Sequence, residues 1–178
     1  YTKDDLAPKG KGLHLIDHMT NNVPMGEMQK WCDFYEGIFN FKEKRFFDIK
    51  GGQTGLISKV MQSPCGRITV PINEPTDPKS QIQEYLDEYQ GSGVQHIALT
   101  TNDIAKTVRE LRENGVEFLD IPGTYYDDLL NRLPMIEEDI ETLRELHILA
   151  DGDDDGLAVR LVASSPDQGR RRHCNRCA

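Results

Sequence analysis

The period of hydrophobic and polar positions changes several times along this chain, and each change marks an element. Residues 13–20, Leu-His-Leu-Ile-Asp-His-Met-Thr, read as a strand closed by the turn formers Asn21-Asn22. Over residues 26–39, Met28, Trp31, Phe34, Tyr35 and Ile38 recur at helical spacing, an aromatic stripe that predicts a core-facing helix. An extended segment follows over 40–49. Strands are then predicted over 55–62 and 67–73, joined by Ser63-Pro64-Cys65-Gly66. The first half therefore reads β-α-β-β-β. Pro75-Thr76-Asp77-Pro78 breaks the pattern, and 80–89 is a short amphipathic helix carrying Ile82, Tyr85 and Leu86.

The pattern then restarts. Gly93-Val94-Gln95-His96-Ile97-Ala98-Leu99-Thr100 is a second strand, and alternation puts His96, Ala98 and Thr100 on one face and Gln95, Ile97 and Leu99 on the other. A helix over 103–114 shows Ile104, Val108 and Leu111 on one side and ends at Asn114-Gly115. A short strand is expected over 116–119, then an inserted helical pair over 124–130 and 137–146. A strand opening Ile148-Leu149-Ala150-Asp151, an acidic turn over 152–156 and a return strand over 157–162 complete a β-α-β-β unit, one strand short of the first. The acidic run lacks the twelfth-position glutamate of a calcium loop and reads as a solvated turn. The organisation expected is a linker at 1–12, a first module at 13–75, a second, incomplete module at 76–163 and an irregular basic tail at 164–178.

A lone histidine on a strand is more often a core residue than a ligand. Here two strand–helix units each present one, which points to a metal site at the junction of a repeat.

Composition narrows the classes. The 178 residues, 37% hydrophobic and 29% charged, are those of an ordinary globular protein. A net charge of −9 argues against a nucleic-acid surface, although the residues from Arg160 onward carry five arginines against one acid, Asp167. No apolar run has the length to span a bilayer and no signal-peptide core is present, so no membrane partner and a cytoplasmic location are expected. Cys32 and Cys65 are isolated, and His173-Cys174-Asn175-Arg176-Cys177 is at best half a zinc site. Assembly into identical copies is compatible with the sequence, which does not fix the number.

The sequence also resembles the catalytic half of the 4-hydroxyphenylpyruvate dioxygenase family, within the vicinal oxygen chelate superfamily. The matching stretches are Ile16-Asp17-His18-Met19-Thr20-Asn21-Asn22-Val23, Pro71-Ile72-Asn73-Glu74-Pro75, Lys79-Ser80-Gln81-Ile82-Gln83, Gly93-Val94-Gln95-His96-Ile97-Ala98-Leu99, Thr124-Tyr125-Tyr126 and Ile148-Leu149-Ala150-Asp151-Gly152-Asp153, in family order. The resemblance implies an α+β fold of paired βαβββ modules, glyoxalase-like, forming a cup that binds Fe(II). It implies His18 and His96 as two ligands of a 2-His-1-carboxylate iron site, and Ser58, Asn73, Gln81 and Gln95 around the substrate. On a regular strand Gln95 lies opposite His96, so its role implies a twist or bulge. The implied reaction joins a small 2-oxo acid and O2: 4-hydroxyphenylpyruvate loses CO2, its ring is hydroxylated and its side chain migrates, giving homogentisate in tyrosine catabolism. Such an enzyme has no catalytic side chains beyond its metal ligands.

The chain also departs from the family. The third ligand is a glutamate on the last strand, which nothing after Val162 matches; Arg160 stands where the family has glutamine, and the closing C-terminal helix and the N-terminal module pair have no counterpart. The expectation is a fragment whose second module lacks its last strand, which binds Fe(II) weakly and turns over no substrate. The alternatives are a hydroxymandelate synthase-like dioxygenase and a non-catalytic ligand-binding module of the same superfamily.

Overall fold

The computed structural model describes residues 10–50, 55–134, 136–153 and 156–160. The expected tail at 164–178, the end of the return strand, most of the linker, and His173, Cys174 and Cys177 lie outside the described residues. The chain divides into two compact units, His14–Thr100 and the residues from Thr101 onward together with those before His14.

The first unit is the predicted βαβββ with one strand added. Its elements are β1 (Leu13–Asn22), α1 (Met28–Phe39), β2 (Lys42–Lys50), β3 (Gly55–Gln62), β4 (Thr69–Pro75), α2 (Gln81–Tyr89) and β5 (Gly93–Thr101). The five strands form one sheet in the order β2-β3-β4-β1-β5. β2, β3 and β4 run antiparallel, whereas β1 lies parallel to β4, with Asn21 opposite Ile72 and Asn22 opposite Asn73. A parallel neighbour needs a crossover, and α1 with the β2–β3 hairpin supplies it.

Alternation decides what each face of the sheet does. On β3 and β4 the paired Met61 and Val70, with Ile72 one step on, point to the side covered by α1 and enclose Val23, Met28, Cys32 and Phe41. Met61 and Ile72 are fully buried there. The helix start has no side-chain cap of its own; the buried Glu74 on β4 accepts from Met28 N at 2.8 Å instead. Asn40 ends α1 in the left-handed region, with φ 56, a conformation asparagine tolerates better than most residues. Ser80 caps α2 by accepting from Gln83 N at 3.2 Å.

The second unit holds α3 (Ile104–Glu113), α4 (Thr124–Asp127), α5 (Leu129–Arg132), α6 (Ile140–Glu145) and the hairpin β6 (Leu149–Asp153) with β7 (Gly156–Arg160). Val108, Tyr126, Leu129, Leu143, Leu146, Ile148 and Ala150 are its core. The strand expected over 116–119 is replaced by a single bridge residue, Phe118. Its first backbone donor is already committed, because Val116 N closes the end of α3 on Leu111 O at 3.0 Å beyond Gly115, which has φ 84. The architecture is α+β: a five-stranded mixed sheet with its helices in one unit, and short helices with a two-stranded hairpin in the other. No helix among the described residues is long and apolar enough to cross a membrane.

Candidate metal centre

The face of the sheet turned away from α1 carries the polar positions. Counting by twos along β1 places His18, Thr20 and Asn22 on this face, and β5 lies beside β1. His96 on β5 meets them: His18 Nε2 and His96 Nε2 are 3.3 Å apart, with the rings edge to face at 77°. Two nitrogens bound to one metal at roughly 2.0–2.2 Å cannot be more than about 4 Å apart, so the pair lies within ligand reach of a single ion.

The outer nitrogens fix which atoms face inward. Asp17 Oδ2 lies 2.7 Å from His18 Nδ1, and Gln95 Oε1 is hydrogen-bonded to His96 Nδ1. A carboxylate can only accept, so a neutral His18 carries its proton on Nδ1 and leaves Nε2 bare; Gln95 in this orientation asks the same of His96. Two unprotonated nitrogens then converge, an arrangement suited to a shared cation. Orientation of a ligating imidazole by an acceptor on its other nitrogen is a recurrent feature of metal sites. Thr20 Oγ1, 3.1 Å from His96 Nε2, is the third group at this point.

The remaining site candidates are spread along the same sheet and beyond it. Register puts Asn73 opposite Ser58 on one side and opposite Asn22 on the other, so three neutral hydrogen-bonding side chains stand in one row across β3, β4 and β1. Ser58 and Asn22 are buried, and Asn22 Oδ1 has no hydrogen-bond partner among the described residues. Asn22 shares the face of β1 that carries His18 and Thr20, two alternations beyond His18. Gln81 stands exposed at the first residue of α2. Gln95 needs no break in the strand to touch His96: β5 is continuous, and the carboxamide bends along it to the ring's outer nitrogen.

Among the described residues no third His, Cys, Asp or Glu joins the pair in a group able to hold a metal ion. Asp17, the nearest acid in sequence, is engaged on Nδ1. A cleft of about 180 Å³ flanks His18, lined by Ile16, Asp17, His18, Met19, Arg67, Ile68 and Thr69, where β1 and β4 lie beyond their registered pairs. Cys32 and Cys65 are both free thiols. Burial pushes the Cys32 thiol up, while the Ser63 hydroxyl beside exposed Cys65 draws that thiol down.

Sequence reasoning had not singled out Asp17, Thr20 or Asn22. Their signal was the same alternation that carried His18: even positions of β1 share its face, and an acid next to a ligating histidine is an available orienting partner.

The sequence model of the Glyoxalase/Bleomycin resistance protein/Dioxygenase superfamily matches residues 15–160. The chain is 56% identical over 159 residues to a 4-hydroxyphenylpyruvate dioxygenase of Legionella pneumophila (strain Corby), a match covering 88% of this chain and 46% of that protein. It is 53% identical over 156 residues to the Pseudomonas aeruginosa protein of the same name, covering 86% and 44%. Among solved structures, a mutant 4-hydroxymandelate synthase from Streptomyces coelicolor superposes with a TM-score of 0.78 at 32% identity, over 93% of this chain and 47% of that one. The chain thus spans about half the length of the relatives it matches.

Proposed function

This chain belongs to the Glyoxalase/Bleomycin resistance protein/Dioxygenase superfamily, and we propose from that premise that it carries the iron-binding half of a 4-hydroxyphenylpyruvate dioxygenase. On this reading the whole protein converts 4-hydroxyphenylpyruvate and O2 to homogentisate and CO2, a step of tyrosine catabolism in the cytoplasm. The observation that carries it is the convergence of His18 Nε2 and His96 Nε2 at 3.3 Å with both outer nitrogens engaged. Relatives of that name at 53–56% identity support the choice of reaction.

Fe(II) held by the two imidazoles supplies the activation of O2 and a docking point for the 2-oxo acid group. The residues of this chain do the positioning. Asp17 and Gln95 hold the two rings with Nε2 inward. Ser58 and Asn73, neutral and in one row with Asn22, offer donors and acceptors to the hydroxyl and carboxylate oxygens of the substrate without fixing a competing charge in the cup. Gln81 completes this set in the proposal, from the start of α2. The sheet holds these groups on rigid strands, which keeps the substrate in a defined pose. Two neutral imidazoles do not offset a double positive charge, so a carboxylate ligand from outside the described residues belongs to the complete site, and residues 13–75 and 76–163 act as paired modules around it.

The test is an anaerobic Fe(II) titration of this chain and of the full-length protein, followed by oxygen uptake with 4-hydroxyphenylpyruvate. Weak iron binding by the chain, and tight binding with homogentisate formation by the full protein, are expected. In the full protein Asn73→Ala should reduce turnover and leave iron content nearly unchanged. Release of 4-hydroxymandelate in place of homogentisate would reassign the reaction; iron bound nowhere would sink the metal site.

A further inference from the structure

We propose that Thr20 is a positioning residue: its hydroxyl donates to His96 Nε2 and holds that imidazole in the tautomer that leaves Nε2 unprotonated. The significance of this role rests on the reading of the histidine pair as a cation site. Its first test does not.

Thr20 lies two residues beyond His18 on β1, so alternation brings it to the same face, and only 2% of it is exposed. Its Oγ1 is 3.1 Å from His96 Nε2, and His96 is its one hydrogen-bond partner among the described residues. A hydroxyl this buried must place its own hydrogen. If it accepted from a protonated Nε2, that hydrogen would be left without an acceptor among the described residues, so donation is the arrangement that satisfies the hydroxyl. Threonine is β-branched and stiff at χ1, which fixes the aim of Oγ1 once the strand is formed.

The two histidines differ in how firmly their tautomers are set. His18 faces the carboxylate of Asp17 at 2.7 Å, which can only accept and therefore decides the matter alone. His96 faces the carboxamide of Gln95. A carboxamide can turn over and present its NH2 group instead of its oxygen, so Gln95 serves either tautomer of His96. A competing state exists for His96. His96 would move its proton to Nε2, donate to His18 Nε2 at 3.3 Å, and accept from a flipped Gln95 on Nδ1. That state occupies the atom a cation needs. Thr20 opposes it by filling the Nε2 lone pair with a neutral donor, one that withdraws by a rotation about a single bond.

The test uses the metal-free 178-residue chain with nitrogen-15-labelled histidine at pH 8, where ring-nitrogen shifts report which nitrogen carries the proton. In the wild type, His96 is expected protonated on Nδ1, with Nε2 an acceptor. Thr20→Val, nearly the same shape without the donor, should move the His96 tautomer ratio toward the Nε2-protonated form by about three- to tenfold, the range one hydrogen bond commands. Thr20→Ser should restore it, and His18 should stay protonated on Nδ1 in all three. A wild-type His96 protonated on Nε2, or a ratio that Thr20→Val leaves unmoved, overturns the proposal. A thermal unfolding scan checks that the valine variant is folded; if it is not, the wild-type tautomer decides. Zn(II) added to the wild type separates the two readings: ring nitrogens that ignore it count against the cation site and leave the Thr20 result intact.

Discussion

His147 in the second unit and the pair His18 and His96 in the first are histidines in very different employment. His147 adopts the left-handed region at φ 53 just after α6, and its Nδ1 accepts from Ile121 N at 3.0 Å, tying one loop to another. Its neighbours behave alike. Arg112 donates to Leu146 O, Arg144 to Gly123 O, and the Tyr125 hydroxyl both donates to Ala150 O and accepts from Ala150 N. These side chains of the second unit serve its own backbone around an apolar core. On the open face of the first unit they serve one another: imidazole meets imidazole, Thr20 meets His96, and Asn22 Oδ1 is left over. The difference teaches how to tell a structural histidine from a ligand. His147 Nδ1 meets a backbone amide and the Asp120 carboxylate, whereas His18 and His96 turn their Nε2 atoms toward each other in partial burial.

The comparison can be strained first through the cores. Ile72→Ala in the first unit and Leu129→Ala in the second remove fully buried side chains, and each should cost its unit about 2–5 kcal/mol in denaturant unfolding. Substitutions on the open face should behave differently. His18→Ala or His96→Ala should lower divalent-cation affinity by about a hundredfold or more in a chelator competition, at least the loss that removing a residue orienting such an imidazole brings. His147→Ala should leave that affinity alone; a drop comparable to the other two would erase the distinction drawn here.

Tyr126 offers a third handle. It is buried, its hydroxyl has no partner among the described residues, and burial with the neighbouring Tyr125 pushes it from 10 up to about 12, against the pull of Arg144 and Arg112. A raised acid favours the protonated folded state, so this contribution is complete below pH 10 and is lost as pH rises through about 12. The loss should amount to roughly 2–3 kcal/mol of the second unit's stability. Tyr126→Phe should flatten that alkaline limb and be neutral or stabilising at pH 7, because no hydrogen bond is broken. Smallest is the cap: Ser80→Ala should cost about 1 kcal/mol, seen as a lower unfolding midpoint of the first unit. At Asp139, the Thr142 hydroxyl and backbone amide hold the carboxyl below its ordinary value. Its help to α6 is therefore present above about pH 4 and fades as pH falls.

Much of this was legible in the sequence. Strand patterning at 13–20 and 93–100 is realised in β1 and β5, turn signals bounded β3, and helical spacing in Met28, Trp31, Phe34, Tyr35 and Ile38 is realised in α1. The strand expected over 116–119 failed because a capping motif after α3 claims the backbone donor of Val116, which no hydrophobic pattern encodes. The helix expected over 124–130 breaks into α4 and α5 around Asp128. At the site, alternation sets the Cβ of Gln95 opposite that of His96, but it does not describe where a flexible carboxamide ends. The row Asn22, Asn73 and Ser58 depends on register between strands fifty residues apart, and only the folded sheet supplies it.

One consequence follows from β1 and β5 being neighbours in the sheet. Their histidines stand 78 residues apart in sequence. An ion that joined them would close a long loop, and the unfolded chain so tied would lose much of its freedom, although each doubling of loop length adds only about 0.6 kcal/mol. The same separation means that the pocket cannot exist as a local fragment early in folding. Contacts of such range form late and slowly. An ion held by the pair would therefore act as a latch on a finished sheet and not as a nucleus for it.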